Sequence, residues 1–194
     1  FKVLEFHGNT IKSMSISGRL TLSNMSVEAG ATSGLVPPDE ETLRYLREEA
    51  GVDFKGELLK PDPDAKYDVV IEIDAASLTP QIACPHTVDN VKPISEVKNV
   101  KVNQIVIGSC TNGRLDDLEA AAKILKGKKV TKSVRMLVFP ASWRIYKEAL
   151  KRGYIADLMD AGAVIMNSNC GCCLGVHQGA LADGDVSLST TNRN

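Results

Sequence analysis

VNQIVIGSCTNGRLDDLEAAAKILKG, residues 102–127, is the stretch that decides the fold of this chain. It begins with an apolar run typical of a buried strand, passes through a Gly-Ser-Cys turn, and continues as a helical pattern that a glycine ends. A strand followed directly by a helix is the repeating unit of α/β proteins, in which helices cover a parallel sheet. The sequence therefore predicts an α/β fold.

The residues after this stretch repeat the alternation of strand and helix. Strands are predicted over 133–140, 163–167 and 185–190, and a broken helix or helix pair over 141–162. Because the crossovers between parallel strands carry helices to the faces of the sheet, we expect three layers, α/β/α. Residues 99–194 are predicted to form the first part of this domain.

Residues 1–98 are predicted to belong to a preceding α/β domain. A helical pattern covers 9–30, Asp39 is placed to begin a second helix, and YDVVIEID at 67–74 has the composition of a strand. Prolines and a lack of periodicity over 78–97 predict an extended linker, and its end marks the expected domain boundary.

The composition excludes several classes of protein. The chain has 194 residues, a net charge of −1 and no apolar run long enough to span a membrane, so we expect neither a nucleic-acid nor a membrane partner. An odd number of cysteines, five, and no visible signal peptide favour a reduced, cytoplasmic location. The chain starts at Phe1 in a strand-like run and stops after STTNRN without a cap, so we expect an internal fragment of a longer protein.

Cysteines and polar side chains follow three of the predicted strands. Cys110 comes after the first strand, Cys170 after the third and TNRN, residues 191–194, after the fourth. The carboxyl ends of parallel strands share one edge of the sheet, where such proteins place ligands. We therefore expect these residues to meet in space.

The segment NSNCGCCLGVH, residues 167–177, holds three of the five cysteines. Cys170 and Cys173 have the spacing that lets two thiolates face one metal ion or cluster. Three other interpretations stay open for this pair: a zinc site that includes His177, a redox-active Cys-x-x-Cys, and buried structural cysteines. Cys172 is not expected to be a ligand, because adjacent thiolates do not comfortably reach the same cluster.

Three motifs, in this order, resemble the large subunit of the aconitase family. They are IGSCTNGRLDDLEAAA at 107–122, NSNCGCCLGVHQGAL at 167–181 and STTNRN at 189–194. LSNMSVEAGATSGLVPPDE at 22–40 and PHTVDNVKPISEV at 85–97 resemble the preceding domain of the same family. The resemblance covers nearly the whole chain, and it implies a hydro-lyase that moves a hydroxyl group by dehydration and rehydration.

The resemblance also implies a cofactor. Cys110, Cys170 and Cys173 match the three thiolate ligands of a [4Fe–4S] cluster, which leaves one iron without a protein ligand. Such an iron is a Lewis acid that can bind a substrate hydroxyl and carboxylate. Asn24 and Glu28 match catalytic positions near the cluster, and their i, i+4 spacing predicts a shared helical face.

Two residues at the end of the chain match substrate-binding positions of the family. Asn192 matches a neighbour of the cluster, and Arg193 matches an arginine whose guanidinium fork binds a substrate carboxylate. The catalytic histidines of the family belong to a segment outside this sequence. His7, His86 and His177 match none of them and are assigned no role.

Within the family, the split-subunit 3-isopropylmalate dehydratases and homoaconitases have the most similar character. A large subunit of this kind pairs with a small subunit that carries the swivelling domain and the serine base. The first choice of function is 3-isopropylmalate dehydratase of leucine biosynthesis, and the alternative is homoaconitase. A non-enzymatic cluster-binding sensor and a zinc-binding domain are further alternatives. The fragment by itself is expected to be inactive.

Overall fold

A computed structural model describes residues 2–175 and 178–193. The chain divides into two compact units, one up to Pro80 and one from Gln81. The domain boundary that the sequence predicts near residue 98 stays a prediction. Among the described residues, no helix is long and apolar enough to cross a membrane.

From residue 2 onward, the first unit contains a two-stranded parallel sheet and three α-helices. Its elements in chain order are β1 (Val3–Glu5), α1 (Asn9–Ser13), α2 (Ile16–Met25), β2 (Ser33–Leu35) and α3 (Glu40–Glu48). The helical region predicted over 9–30 is therefore confirmed as two helices up to Met25, and residues 26–30 form turns instead. The break between them comes at Met14, whose backbone is extended, and the Ser15 hydroxyl then caps α2 by accepting from the Gly18 N–H at 3.2 Å.

Asp39 begins α3, as the sequence predicts, and it also forms an ion pair. Its Oδ1 accepts hydrogen bonds from the Glu41 and Thr42 backbone N–H groups, and the Thr42 hydroxyl accepts from the Asp39 N–H, which completes a capping box. The same Oδ1 accepts from Nη1 of Arg19 at 2.7 Å, and the Arg19 side chain is 5% exposed. This ion pair joins the start of α3 to the buried side of α2.

Replacing Asp39 with asparagine should weaken the first unit and remove part of its acid sensitivity. Hydrogen bonding to Arg19 lowers the pKa of Asp39 below its ordinary value of 3.8. The ionised carboxylate therefore stabilises the folded state above that value, and this contribution is lost as the pH falls through the lowered pKa. Asparagine caps helices as well as aspartate does, so Asp39→Asn removes the ion pair alone.

We expect Asp39→Asn to lower the free energy of unfolding by about 1–2 kcal/mol at neutral pH. This value allows for solvent screening, because the Asp39 side chain is 36% exposed. Urea unfolding followed by circular dichroism between about pH 3 and pH 7 measures both effects. Asp53→Asn is the matched control, because the pair that Asp53 forms with Lys55 is 80% and 83% exposed. If the free energy of unfolding of Asp39→Asn fell with acid pH as steeply as that of the wild type, the role of the ion pair would be contradicted.

The strand predicted over 67–74 is wrong. These residues have irregular backbone, and Val70 and Ile71 are each 74% exposed. A strand needs a neighbour to receive its backbone hydrogen bonds, and the described part of the first unit pairs no strand with this segment. The apolar residues of this segment therefore have the composition of a strand, but no neighbouring strand pairs with them among the described residues.

The linker predicted over 78–97 contains regular structure. β3 (Gln81–Ala83) and β4 (Val91–Pro93) form an antiparallel hairpin. Asn90 closes the loop between them, because its Nδ2 donates to the Pro85 carbonyl at 2.8 Å and its backbone N–H to the Thr87 carbonyl at 3.2 Å. The prediction of an extended connection is therefore wrong for this hairpin.

In its described residues, the rest of the second unit forms a four-stranded parallel sheet with three α-helices. Its elements are β5 (Gln104–Gly108), α4 (Leu115–Leu125), β6 (Arg135–Phe139), α5 (Trp143–Lys151), α6 (Tyr154–Asp160), β7 (Val164–Ile165) and β8 (Ser187–Ser189). The strand order is β7-β6-β5-β8, and β5 pairs with β6 so that Gln104 lies opposite Arg135 and Gly108 opposite Phe139. The predicted strands, helices and parallel sheet are confirmed.

Alternate residues of β6 face two different cores. Met136 and Val138 pack with the three helices in a core whose other buried members are Leu118, Ala121, Ala122, Ile145, Ala149, Ile155, Leu158 and Ala163. On the opposite face, Leu137 and Phe139 pack with Val106, Met166 and Cys172. The α/β class is confirmed, with α4, α5 and α6 on one face. The second face is covered by the segment after β7, which carries the cysteines.

A buried glutamine fixes the far end of that segment. Gln104 is 1% exposed, and its Nε2 donates to the Gly179 carbonyl at 3.0 Å. Arg135 Nε donates to the Gln104 side-chain oxygen at 3.0 Å, and Arg135 Nη2 donates to the Ala180 carbonyl at 2.8 Å. Because Gln104 and Arg135 lie opposite each other on the sheet, the segment is tied to the start of two strands.

Candidate metal centre

The turn that carries Cys110 is pressed against the end of β6. A Cβ atom at Gly108 or at Gly113 would lie 2.2 Å from the Phe139 carbonyl oxygen, and Gly108 also has a φ of +94°. Only glycine fits at such a distance from backbone atoms. The two glycines therefore let the chain leave β5, form the Cys110 turn and enter α4 beside the neighbouring strand.

Two hydrogen bonds join the Cys110 turn to the end of β8. The Gly108 N–H donates to Oγ1 of Thr190 at 2.9 Å, and Asn112 Nδ2 donates to the Thr190 carbonyl at 2.7 Å. Asn192 and Arg193 follow after Thr191, the first 8% exposed and the second exposed. The segment with the two predicted substrate-binding residues is thus held beside the cysteine turn.

Cys170 and Cys173 lie on a short turn after β7. Residues Gly171–Leu174 form a 3₁₀ turn, and the Cys173 N–H donates to the Cys170 carbonyl at 3.3 Å. Asn169 holds the entry to this turn, since its side-chain oxygen accepts from the Gly171 N–H and its Nδ2 donates to the Gln178 side chain at 3.2 Å. The loop is therefore fixed by its own polar side chains.

Gly171 places the same loop on the aromatic ring of β6. Its φ is +57°, and a Cβ atom there would lie 3.0 Å from the Phe139 ring carbons. Phe139 is fully buried. The loop that carries Cys170 and Cys173 therefore packs on the Phe139 ring through Gly171.

The structure brings four of the predicted site residues together. The pKa of the Cys170 thiol is raised, chiefly by the charge of Cys110, with further contributions from burial, a hydrogen bond with Cys110 and the charge of Cys173. Arg193 acts on the same thiol in the opposite direction. Three thiolates at this edge would repel one another unless a bound cation neutralised them. The donor set suits a soft, thiolate-bound metal group.

The three thiols could hold either a single metal ion or a cluster. Among residues 2–175 and 178–193, no three His, Cys, Asp or Glu side chains converge closely enough to hold a single metal ion. Thiolates that bind different irons of one cluster need not converge on one point, so a cluster remains compatible with this arrangement. The zinc alternative also stays open. His177, the extra ligand of the zinc alternative, lies outside the described residues.

The redox alternative for the Cys-x-x-Cys pair has less support. Such a pair normally lies at the start of an α-helix, whose positive end lowers the thiol pKa. Here Cys170 precedes a four-residue 3₁₀ turn that contains Cys173, and the pKa of Cys170 is raised. All five cysteines of the chain are free thiols.

Cys172 packs against the core formed by Val106, Leu137 and Phe139. Met166 packs against the same core, and a Cβ atom at Gly179 would lie 3.0 Å from Cβ of Cys172. Burial raises the pKa of its thiol. This is the ordinary packing role of a buried cysteine.

Asn24 and Glu28 lie in the first unit and do not share a helical face as predicted. Asn24 is exposed in the last turn of α2, whereas Glu28 is half-buried in the turns after Met25. The helix ends there because the Val27 N–H donates to the Asn24 carbonyl three residues back, and the Ser26 hydroxyl bonds to the Leu22 carbonyl at 2.9 Å. Their catalytic roles stay predictions.

Several residues that shape the site were not identified from the sequence. Asn112 and Asn169 fasten the two cysteine turns, and Thr111 lies against the Cys110 sulfur. The signal that could have found the asparagines is their position beside cysteines in glycine-rich turns, where a side-chain amide replaces missing backbone partners. No sequence pattern marks Thr111.

Comparison with known proteins places these residues in a family. The model of the aconitase family (aconitate hydratase) matches residues 2–194. Over all 194 residues, the chain is 52% identical to a probable 3-isopropylmalate dehydratase large subunit of Methanothermobacter thermautotrophicus and covers 46% of that protein. It is 52% identical to the 3-isopropylmalate dehydratase large subunit of Sulfurihydrogenibium sp. and covers 44% of that protein. It is 50% identical to the 3-isopropylmalate dehydratase large subunit 2 of Archaeoglobus fulgidus and covers 46% of that protein. The chain thus spans less than half the length of these relatives.

Proposed function

Because the chain belongs to the aconitase family, we propose that it is the cluster-binding part of a hydro-lyase, the large subunit of a 3-isopropylmalate dehydratase. The observation that carries this proposal is the meeting of Cys110, Cys170 and Cys173 at the carboxyl edge of the sheet. The identity of about half the residues to proteins with that name supports the choice of substrate.

The residues present fit a [4Fe–4S] cluster with an incomplete protein ligand set. Cys110, Cys170 and Cys173 would hold it, and Cys172 is turned into the core. When bound, the cluster supplies an iron that acts as a Lewis acid toward the departing hydroxyl group. Three thiols rather than four suit a cluster that must leave one position for substrate.

The chain's own polar residues would bind and orient the substrate. Arg193 is exposed and close enough to influence the Cys170 thiol, so its guanidinium can hold a substrate carboxylate beside the cluster. Asn192, buried beside it, can donate a side-chain hydrogen bond. In this proposal Asn24 donates to the substrate, and Glu28 orients or takes up the water that leaves.

The proposed partner is a small subunit, since the relatives are named as large subunits. It would carry the serine that removes the proton from the neighbouring carbon. The cytoplasm is the proposed location, supported by five free cysteines and by the thiolate chemistry that a reduced compartment protects.

A chimera tests the proposed activity. The segment of the Methanothermobacter large subunit that aligns with this chain is replaced by these 194 residues, and the product is combined with the small subunit of the same organism. After anaerobic loading with iron and sulfide, we expect it to dehydrate 3-isopropylmalate. The unmodified large subunit is the control for assembly and assay.

Two outcomes contradict the proposal. A loaded chimera that dehydrates homocitrate but not 3-isopropylmalate would move the chain to the homoaconitases. A chimera that takes up the cluster, binds the small subunit and yet dehydrates neither acid would overturn the hydro-lyase function. The second outcome would favour the sensor alternative.

A further inference from the structure

Thr111 buries its hydroxyl group against a proposed cluster ligand. The residue follows Cys110 in the turn between β5 and α4, and it is 4% exposed. Its Oγ1 lies 3.7 Å from Sγ of Cys110. In the part of the chain that the structure describes, this sulfur is the only hydrogen-bond partner of the Thr111 hydroxyl.

A neutral thiol is a poor partner for a buried hydroxyl. Buried hydroxyls normally bond to oxygen or nitrogen, and a thiol is both a weak donor and a weak acceptor. With Cys110 protonated, either atom could be the donor. Once Cys110 is a thiolate ligand, Thr111 must donate, and the bond becomes charge-assisted and stronger. The position of Thr111 is therefore better satisfied with a bound cluster than without one.

Ser109, on the other side of Cys110, does not share this contact. Its hydroxyl is completely buried and has no hydrogen-bond partner among the described residues. Of the two hydroxyl groups that flank Cys110, only that of Thr111 therefore contacts the sulfur in the described part of the chain.

We propose that Thr111 is a positioning residue that donates a hydrogen bond to the Cys110 thiolate and thereby protects the cluster from oxidation. The inference rests on the proposed function, because it needs a cluster at Cys110. A hydrogen bond to a ligand sulfur draws electron density from it, which favours the more reduced state of the cluster. Oxygen removes one electron from the four-iron cluster and becomes superoxide, and the oxidised cluster releases one Fe²⁺ to leave a three-iron cluster. Thr111 would slow the electron loss.

Three variants separate the hydrogen bond from packing. Thr111→Val keeps the shape and removes the hydroxyl, Thr111→Ser keeps the hydroxyl and removes a methyl group, and Thr111→Ala removes both with the least steric demand. Each chain is loaded anaerobically, its iron and sulfide are measured, and it is then mixed with air-saturated buffer. The loss of visible absorption and the growth of the three-iron EPR signal give the rate of oxidation.

We expect Thr111→Val and Thr111→Ala to be oxidised about ten-fold faster than the wild type, in the lower range of effects for residues that support a metal ligand. Thr111→Ser should stay within about two-fold of the wild type. A Thr111→Val chain that folds but takes up no cluster, while Thr111→Ser is loaded, supports the same role. If Thr111→Val does not fold, Thr111→Ala decides.

Wild-type rates in loaded Thr111→Val and Thr111→Ala would overturn the inference, and so would a Thr111→Ser rate as fast as theirs. Either result would leave the proposed function intact. If the wild-type chain itself takes up no iron and sulfide, the proposed function fails first, and the inference fails with it.

Discussion

Alanine at Cys110, Cys170 or Cys173 should abolish cluster binding. After anaerobic reconstitution, we expect the wild type to hold about four irons and four sulfides per chain and each of the three variants to hold less than about one. The reason is that three thiolates are the whole proposed protein ligand set, and two thiols do not hold an exposed cluster. Iron and sulfide analysis together with the visible absorption spectrum gives the result.

The control for this prediction lies inside the same tetrapeptide. Cys172 is adjacent to Cys173, but its side chain packs in the core under the sheet. Cys172→Ala should therefore keep its iron and sulfide, with a modest loss of stability, and Cys84→Ala should do so as well. A Cys172→Ala chain as empty as Cys170→Ala, or a loaded Cys110→Ala chain, would contradict the ligand assignment.

Phe139→Ala should cost about 3–5 kcal/mol of folding free energy in the second unit. Phe139 is fully buried, it packs with Val106 and Leu137, and its ring lies 3.0 Å from where a Cβ of Gly171 would be. Removing the ring opens a cavity in the core and removes the surface on which the Cys170 loop packs. The variant should therefore also bind the cluster less well than the wild type.

Guanidinium unfolding monitored by tryptophan fluorescence measures this cost, because the single tryptophan, Trp143, lies on α5 of the same unit. Ile124→Ala is the control in the same unit, since Ile124 lies on α4 and is 65% exposed, so its truncation should cost less than about 1 kcal/mol of folding free energy. Equal losses in the two variants would show that Phe139 is not a central packing residue.

The sequence predicts the second unit well because its local signals agree with one another. The apolar run before Cys110, the helix after it and the proline after β6 each favour the observed element. The order of these elements is enough to bring Cys110 and Cys170 to one edge of a parallel sheet. For this unit, local pattern and tertiary contacts give the same result.

The first unit is less predictable because its patterns depend on contacts that the sequence does not state. The segment over 67–74 has the alternation of a strand, yet a strand exists only where a neighbour accepts its hydrogen bonds. The shared helical face of Asn24 and Glu28 fails for a different reason. The Val27 and Gly30 N–H groups each donate three residues back instead of four, and a helical spacing cannot reveal where the helix ends.

The contacts that shape the candidate site also depend on tertiary structure. The contact between Thr111 and Cys110 depends on burial, and the fit of Gly113 depends on the carbonyl of a neighbouring strand. Neither leaves a periodic signal in the sequence. The motifs could therefore indicate which residues meet, but not which neighbours hold them in place.

The central claim is that three cysteines hold a four-iron cluster with one iron open to substrate. The most direct test is EPR spectroscopy and iron analysis of the reconstituted wild-type chain before and after mild oxidation. The account predicts about four irons at first, then loss of one iron with a three-iron EPR signal, and recovery when Fe²⁺ and reductant are added back. Stoichiometric zinc without a sulfide-dependent chromophore, or a four-iron cluster that loses no iron on oxidation, would contradict it.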